Sequence, residues 1–317
     1  MKLIQSLALG LGLGMGLALL AQGAQAQDKL KVAIGQRGVY ENSISELGQD
    51  KGFFKKHGLV LELLYTQGSG ETQQAVISGS VDIGIGVGTH SVMGAFSKGA
   101  PIRAIGSTIT GAYEFWYVRA DSPIKSFKDV GEKTVAYSTA GSSTMMMVAA
   151  MQKQFDVKAK PTATGSPPAT YTQVMSGQID VGWSAPPLAY QAVMEGKTRV
   201  LVPGRDIVAF RSQSIRVVAA NAGDLDKRRD VYKRYMDAYR ETIEWMYSDP
   251  TSIEAYAKWA EVTPELAKKV RDEFLPRELV NPDRVDGLDA MVEDAVAYKL
   301  LAAPLSKEQL STLFVKP

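Results

Sequence analysis

The chain has 317 residues, with 36 Lys and Arg against 34 Asp and Glu, a formal net charge of +2. That near-balance gives no broad basic field for phosphates, so a nucleic-acid partner is not expected. With no Cys and only His57 and His90, thiolate catalysis, disulfide exchange and Cys-based metal sites are excluded, and neither a metal nor any other cofactor is expected.

The chain opens with Lys2, runs apolar or Gly-rich from Leu3 to Leu20, and reaches Ala24-Gln25-Ala26 just before Gln27. That is the layout of a secretory signal peptide over residues 1–26, cleaved after Ala26. The alternative, a retained membrane anchor, is disfavoured by the many glycines, which make a poor permanent helix. Without a Cys at the new N-terminus the exported chain is expected to be free rather than lipid-tethered. The residues beyond 26 exceed what one core usually serves, so two lobes are expected.

Leu30–Ile34 reads as a strand and Asn42–Lys56 as a helix ending near Gly58. Leu59–Tyr65 is a second strand, Glu71–Ser78 a helix stopped by Gly79, and Val81–Val87 a third strand. Strand, helix and strand in alternation indicate an α/β fold with a mostly parallel sheet. The segment Ala75–Gly84 (AVISGSVDIG) then recurs as Gln173–Gly182 (QVMSGQIDVG), 98 residues on. Each copy is an amphipathic helix ending at a Gly stop, followed by a strand with one Asp, Asp82 or Asp180, assigned a structural role at the strand start. Two copies about a hundred residues apart indicate two lobes built to one plan.

Glu114–Arg119 and Ser214–Ala220 flank the second copy and read as crossover strands. With these as the hinge, lobe 1 comprises residues 27–117 plus 217–317 and lobe 2 residues 118–216. From Asp224 onward the chain is helical. Tyr232, Tyr235, Met236, Tyr239, Ile243, Met246 and Tyr247 fall at helical spacing, a stripe that indicates core packing.

The repeated Ser-Gly-x-x-Asp-x-Gly step is joined by Lys51-Gly-Phe-Phe-Lys-Lys-His-Gly-Leu59, Lys98-Gly-Ala-Pro-Ile102 and Asp121-Ser-Pro-Ile-Lys-Ser-Phe-Lys-Asp129. As an ordered set these resemble the solute-binding proteins of ABC importers for nitrate, sulfonates and taurine, grouped with thiamine-precursor (NMT1/THI5-like) proteins. The resemblance implies the two-lobed type II periplasmic binding protein fold and a monomer in the periplasm. It also implies an inner-membrane permease with its ATPase as partner and a small solute caught by hinge closure. Two enzymes that resemble this scaffold, porphobilinogen deaminase and the yeast thiamine-pyrimidine synthase, depend on Cys, which is absent, and no G-x-S-x-G elbow is present, so no enzyme activity is expected. A receptor subunit that signals without transport shares every local feature and stays open.

In open α/β sheets ligands bind beyond the carboxyl ends of strands. That rule selects the loops 35–40, 66–70, 84–90, 137–143 and 182–187, all rich in Gly, Ser and Thr. The candidate ligand-binding residues are Arg37, Gly38, Gln67, Gly68, Ser69, Gly88, Thr89, His90, Ser138, Gly141, Ser142, Ser143, Trp183 and Ser184. The 138–143 loop opens a helix, whose unpaired N–H groups and dipole suit an anion, although one hydroxyl there is needed as a cap. Arg37 is either a bidentate partner for a sulfonate or carboxylate or a solvated surface charge. His90 either donates to an anion or caps its own helix. Trp183 is either a flat wall for a carbon skeleton or core packing. The expected ligand is a small organic anion, sulfonate- or taurine-like or a carboxylate, with nitrate or a neutral pyrimidine as alternatives.

Overall fold

Two sheets of the same strand order organise residues 27–317, which the computed structural model describes. The segment read as a signal peptide, residues 1–26, lies outside the described residues. The strands are β1 (Asp28–Gly35), β2 (Leu59–Thr66), β3 (Ile83–Gly88), β4 (Ile102–Ile109), β5 (Phe115–Arg119), β6 (Thr134–Tyr137), β7 (Lys160–Ala163), β8 (Gly182–Ser184), β9 (Thr198–Pro203) and β10 (Arg216–Asn221). The first sheet runs β2-β1-β3-β10-β4, parallel except for β10. In the second, β5 runs antiparallel between β8 and β9, and β6 pairs with β7 in parallel. Reciprocal bonds from Ala136 N–H to Val181 O (2.8 Å) and from Val181 N–H to Thr134 O (3.0 Å) link β6 to the residue before β8. The resulting order, β7-β6-β8-β5-β9, repeats the first with β5 in the place of β10.

The antiparallel strand of each sheet therefore comes from the far side of the other one, and the chain crosses twice. By hydrogen bonding the crossings fall between Ile109 and Phe115 and between Pro203 and Arg216. The expected cut at residue 117 falls inside β5, all of which pairs in the second sheet, while Arg216 already belongs to the first.

The duplicated segment explains the matching geometry. Asp82 Oδ2 accepts the Lys31 N–H at 2.8 Å, and Asp180 Oδ2 accepts the Thr134 N–H at 2.9 Å, so the two aspartates tie down the corresponding strands β1 and β6. Thr66 and Thr72 share a hydroxyl bond of 2.7 Å, and Thr164 and Thr170 repeat it at 2.6 Å. One expected element is divided. The helix read over 42–56 forms as Ile44–Lys51 and Phe53–Lys56, because Gly52 takes φ +91°, a left-handed conformation that ends the first segment. The long helix Arg229–Ser248 packs Tyr232, Tyr235, Met236, Tyr239, Ile243 and Met246 into the core of the first lobe, against Phe54 among others; Tyr247 is partly buried. Among the described residues no helix is long and apolar enough to cross a membrane.

Candidate functional site

The loops at the carboxyl ends of both sheets meet face to face, and their glycines set how close they come. A Cβ on Gly70 would stand 2.1 Å from Ala140 O, one on Gly68 3.0 Å from the Ser138 side chain, and one on Gly88 3.1 Å from Ser143 N. Polar bonds stitch the same seam: Gly70 N–H donates to Thr139 Oγ1 at 3.2 Å, and the Ser91 hydroxyl donates to Gly141 O. Behind the seam lies a cavity of ≈ 10 Å³, about the room one water needs. A larger solute fits only when the lobes part.

Both lobes line that cavity. The first contributes Asn42, Ser69 and Gly86 together with Glu41; the second contributes Ser138, Ser143, Thr144 and Trp183; Tyr113 and Arg216 stand at the two crossings. Arg216 is the hub. Its Nη1 donates to Glu41 Oε1 at 2.8 Å, its Nη2 meets Glu114 Oε1, and its Nε donates across the seam to Ser143 Oγ at 3.1 Å. The Tyr113 ring lies under the guanidinium, 5.6 Å from ring centroid to Cζ. The Tyr113 hydroxyl donates to Glu41 and its backbone N–H to Glu114 at 3.1 Å. Burial first, and the Glu41 charge second, push the Tyr113 phenol well above its ordinary pKa, so it stays a donor.

A family model described as "NMT1/THI5 like" matches residues 46–253. The chain belongs to the NMT1/THI5-like family. Among curated relatives, the 4-amino-5-hydroxymethyl-2-methylpyrimidine phosphate synthase THI5 of Saccharomyces cerevisiae is 19% identical over 232 residues, covering 69% of this chain and 67% of that protein. Among solved structures, the alkanesulfonate-binding protein SsuA from Xanthomonas axonopodis pv. citri bound to MOPS superposes with a TM-score of 0.71 at 15% identity, over 88% of this chain and 96% of that one. The periplasmic nitrate-binding protein NrtA from Synechocystis PCC 6803 gives 0.67 at 14% identity, over 90% and 85%. The fold is thus that of the periplasmic binding proteins, α/β with two lobes.

On this NMT1/THI5-like scaffold the sequence-derived candidates divide into three sets. Ser69, Ser138, Ser143 and Trp183 line the cavity. Gly68, Gly88 and Gly141 lie on the seam, Gly68 against the Ser138 and Thr139 side chains, Gly88 against the Ser143 backbone, and Gly141 accepting the Ser91 hydroxyl. Gly38 joins them: a Cβ there would press 2.9 Å from Leu188 of the second lobe. The remainder are placed elsewhere, each by a specific partner. Arg37 is half exposed, over the rings of Tyr65 and Trp259 and 3.5 Å from Glu46, and it does not line the cavity. Gln67 is exposed and gives its N–H to Glu71 at 2.7 Å. Thr89 gives its hydroxyl to Ser214 O at 2.5 Å, and Ser184 gives its own to Leu188 O at 2.6 Å. Ser142 caps its helix, accepting the Met145 N–H at 3.1 Å. His90 is buried edge-on against Phe210, and burial lowers its pKa to about 4, so it is neutral.

Sequence reasoning missed Glu41, Asn42 and Arg216. One signal was available: Arg216 sits inside the apolar run Ile215–Ala220, and a charge inside such a run is buried only when paired.

Proposed function

We propose that this chain is the exported solute-capturing subunit of an ABC-type importer. It acts as a monomer in the periplasm, closes its two lobes over a small solute, and delivers it to a membrane permease driven by an ATPase. The observation that carries this reading is the cavity behind the seam, lined from both lobes and crossed by the Arg216–Ser143 bond. A bond across the seam makes the closed state sensitive to what sits beside it. A ligand shifts such an equilibrium by its differential affinity for the two states. The similarity to alkanesulfonate- and nitrate-binding proteins supports the same reading, although at such identity it speaks for fold alone.

Binding is favoured over catalysis by the condition of the polar groups. Glu41 is held by two hydrogen-bond donors, Glu114 by the Tyr113 N–H and its ion pair with Arg216, and His90 is buried away from the cavity lining, which suits fixed charges better than proton shuttles. For the charge of the solute, the start of helix Ser143–Phe155 at the cavity favours the anion expected from sequence, whereas the buried carboxylates of Glu41 and Glu114 oppose it.

The test is a melting-temperature screen of the purified protein against sulfonates, carboxylates, nitrate, amines and heterocycles. At least one solute is expected to raise the melting temperature saturably, because binding to the folded form alone stabilises by mass action. A screen in which no solute does so, or in which a solute that binds is chemically converted, overturns the reading.

A further inference from the structure

The charges buried around the cavity do not cancel. Arg216 supplies one positive charge and Glu41 and Glu114 two negative ones, with the three side chains 9%, 1% and 0% exposed. Two helices begin at cavity-lining residues. Ser69–Ile77 carries Glu71 in its own first turn, whereas Ser143–Phe155 has no acid there. An open helix start is worth about half a positive charge, which still leaves the site negative. His90, neutral through burial, adds nothing.

A second observation is independent of the carboxylates. Asn42, 4% exposed, donates through Nδ2 to the carbonyls of Gly35 and Gln36, which fixes the orientation of its amide. Its Oδ1 has no hydrogen-bond partner among the described residues. It faces Gly86, 2.9 Å from where a Cβ would stand, and both residues line the cavity. A buried acceptor without a donor is costly to leave unmet. Trp183, 1% exposed, stands on the second-lobe side.

Building on the solute-capture reading, we infer that the solute carries a protonated amine or amidinium group. Its N–H donors meet Glu41 and Asn42 Oδ1, Glu114 adds its negative charge from behind Arg216, and its carbon frame packs against Trp183. The anion expected from sequence fits this balance poorly, because its charge would add to an uncompensated carboxylate.

The experiment holds the ring constant and varies the charge: benzamidine, benzylamine, benzamide, benzoate and benzenesulfonate, each titrated at neutral pH with melting temperature and calorimetry as readouts. Benzamidine or benzylamine is expected to bind at least tenfold tighter than benzamide, with no saturable shift from the two anions. Glu114→Gln, which keeps the side-chain shape, is expected to weaken the cations at least tenfold. Glu41→Gln gives the same readout should the first variant fail to fold. Tighter binding of an anion overturns the inferred charge while leaving solute capture standing. Cation binding that neither variant changes overturns the assignment of the carboxylates. No shift from any of the five overturns the inference, and solute capture is then decided by the broader screen.

Discussion

Arg216 holds two carboxylates at once, so its loss leaves both without a counter-charge in a site nearly closed to water. Breaking a buried pair in this way costs about 3–5 kcal/mol. Arg216→Met is expected to lower the unfolding free energy by about that amount in urea titration, and adding Glu41→Gln to restore part of it. A variant as stable as the parent would show that the three charges are not paired as described. His90 makes a separate prediction about pH. Burial takes its pKa from the ordinary 6.5 down to about 4, so between those values the unfolded chain binds the extra proton. The contribution of the neutral imidazole is complete above about pH 6.5 and is lost as pH falls toward about 4, about 3 kcal/mol in all. His90→Gln should flatten that limb of the stability curve relative to the parent, and an unchanged slope would rule out His90 as its source. At this scale the sequence was least legible. Glu41, Glu114 and Arg216 are far apart along the chain, and although Arg216 signals a buried charge, nothing local names its partners. Only the double crossing brings them together.

The start of helix Ser143–Phe155 separates two serines that look alike in sequence. Ser142 is the cap, and its replacement by Ala is expected to cost about 1 kcal/mol of stability while leaving solute affinity unchanged. Ser143 is instead the acceptor for Arg216 Nε, so Ser143→Ala is expected to weaken solute binding with little effect on stability. Denaturation and calorimetry on the two variants check the split, and equal effects on affinity would remove it. Elements were largely legible because the duplicated segment carries its own punctuation. Gly79 and Gly177 stop matching helices, both at positive φ, and Asp82 and Asp180 pin matching strands. The division at Gly52 was less legible, since Phe53 and Phe54 continue the apolar pattern through it and only the backbone conformation records the break.

The two lobes mate through glycines, and that has a measurable counterpart for the molecule as a whole. Gly70→Ala puts a methyl group 2.1 Å from Ala140 O, a clash that separation of the lobes would relieve. The variant is expected to show a larger radius of gyration in small-angle scattering and at least tenfold weaker solute binding, with the melting temperature of the free protein little changed. An unchanged radius would mean that the seam tolerates the methyl group. The two-lobe plan could be read from the repeat itself, whereas the closeness of the seam could not, because glycine in a loop looks the same whether it faces a solute or another backbone. The tightness of the closed chamber also fixes how cargo is held over time. On the solute-capture reading, a molecule held in a cavity this small escapes when the jaws swing apart. Its dwell time is then governed by how often the whole body opens, and a membrane partner of the proposed kind would hasten release by prising the jaws rather than by competing for the cargo.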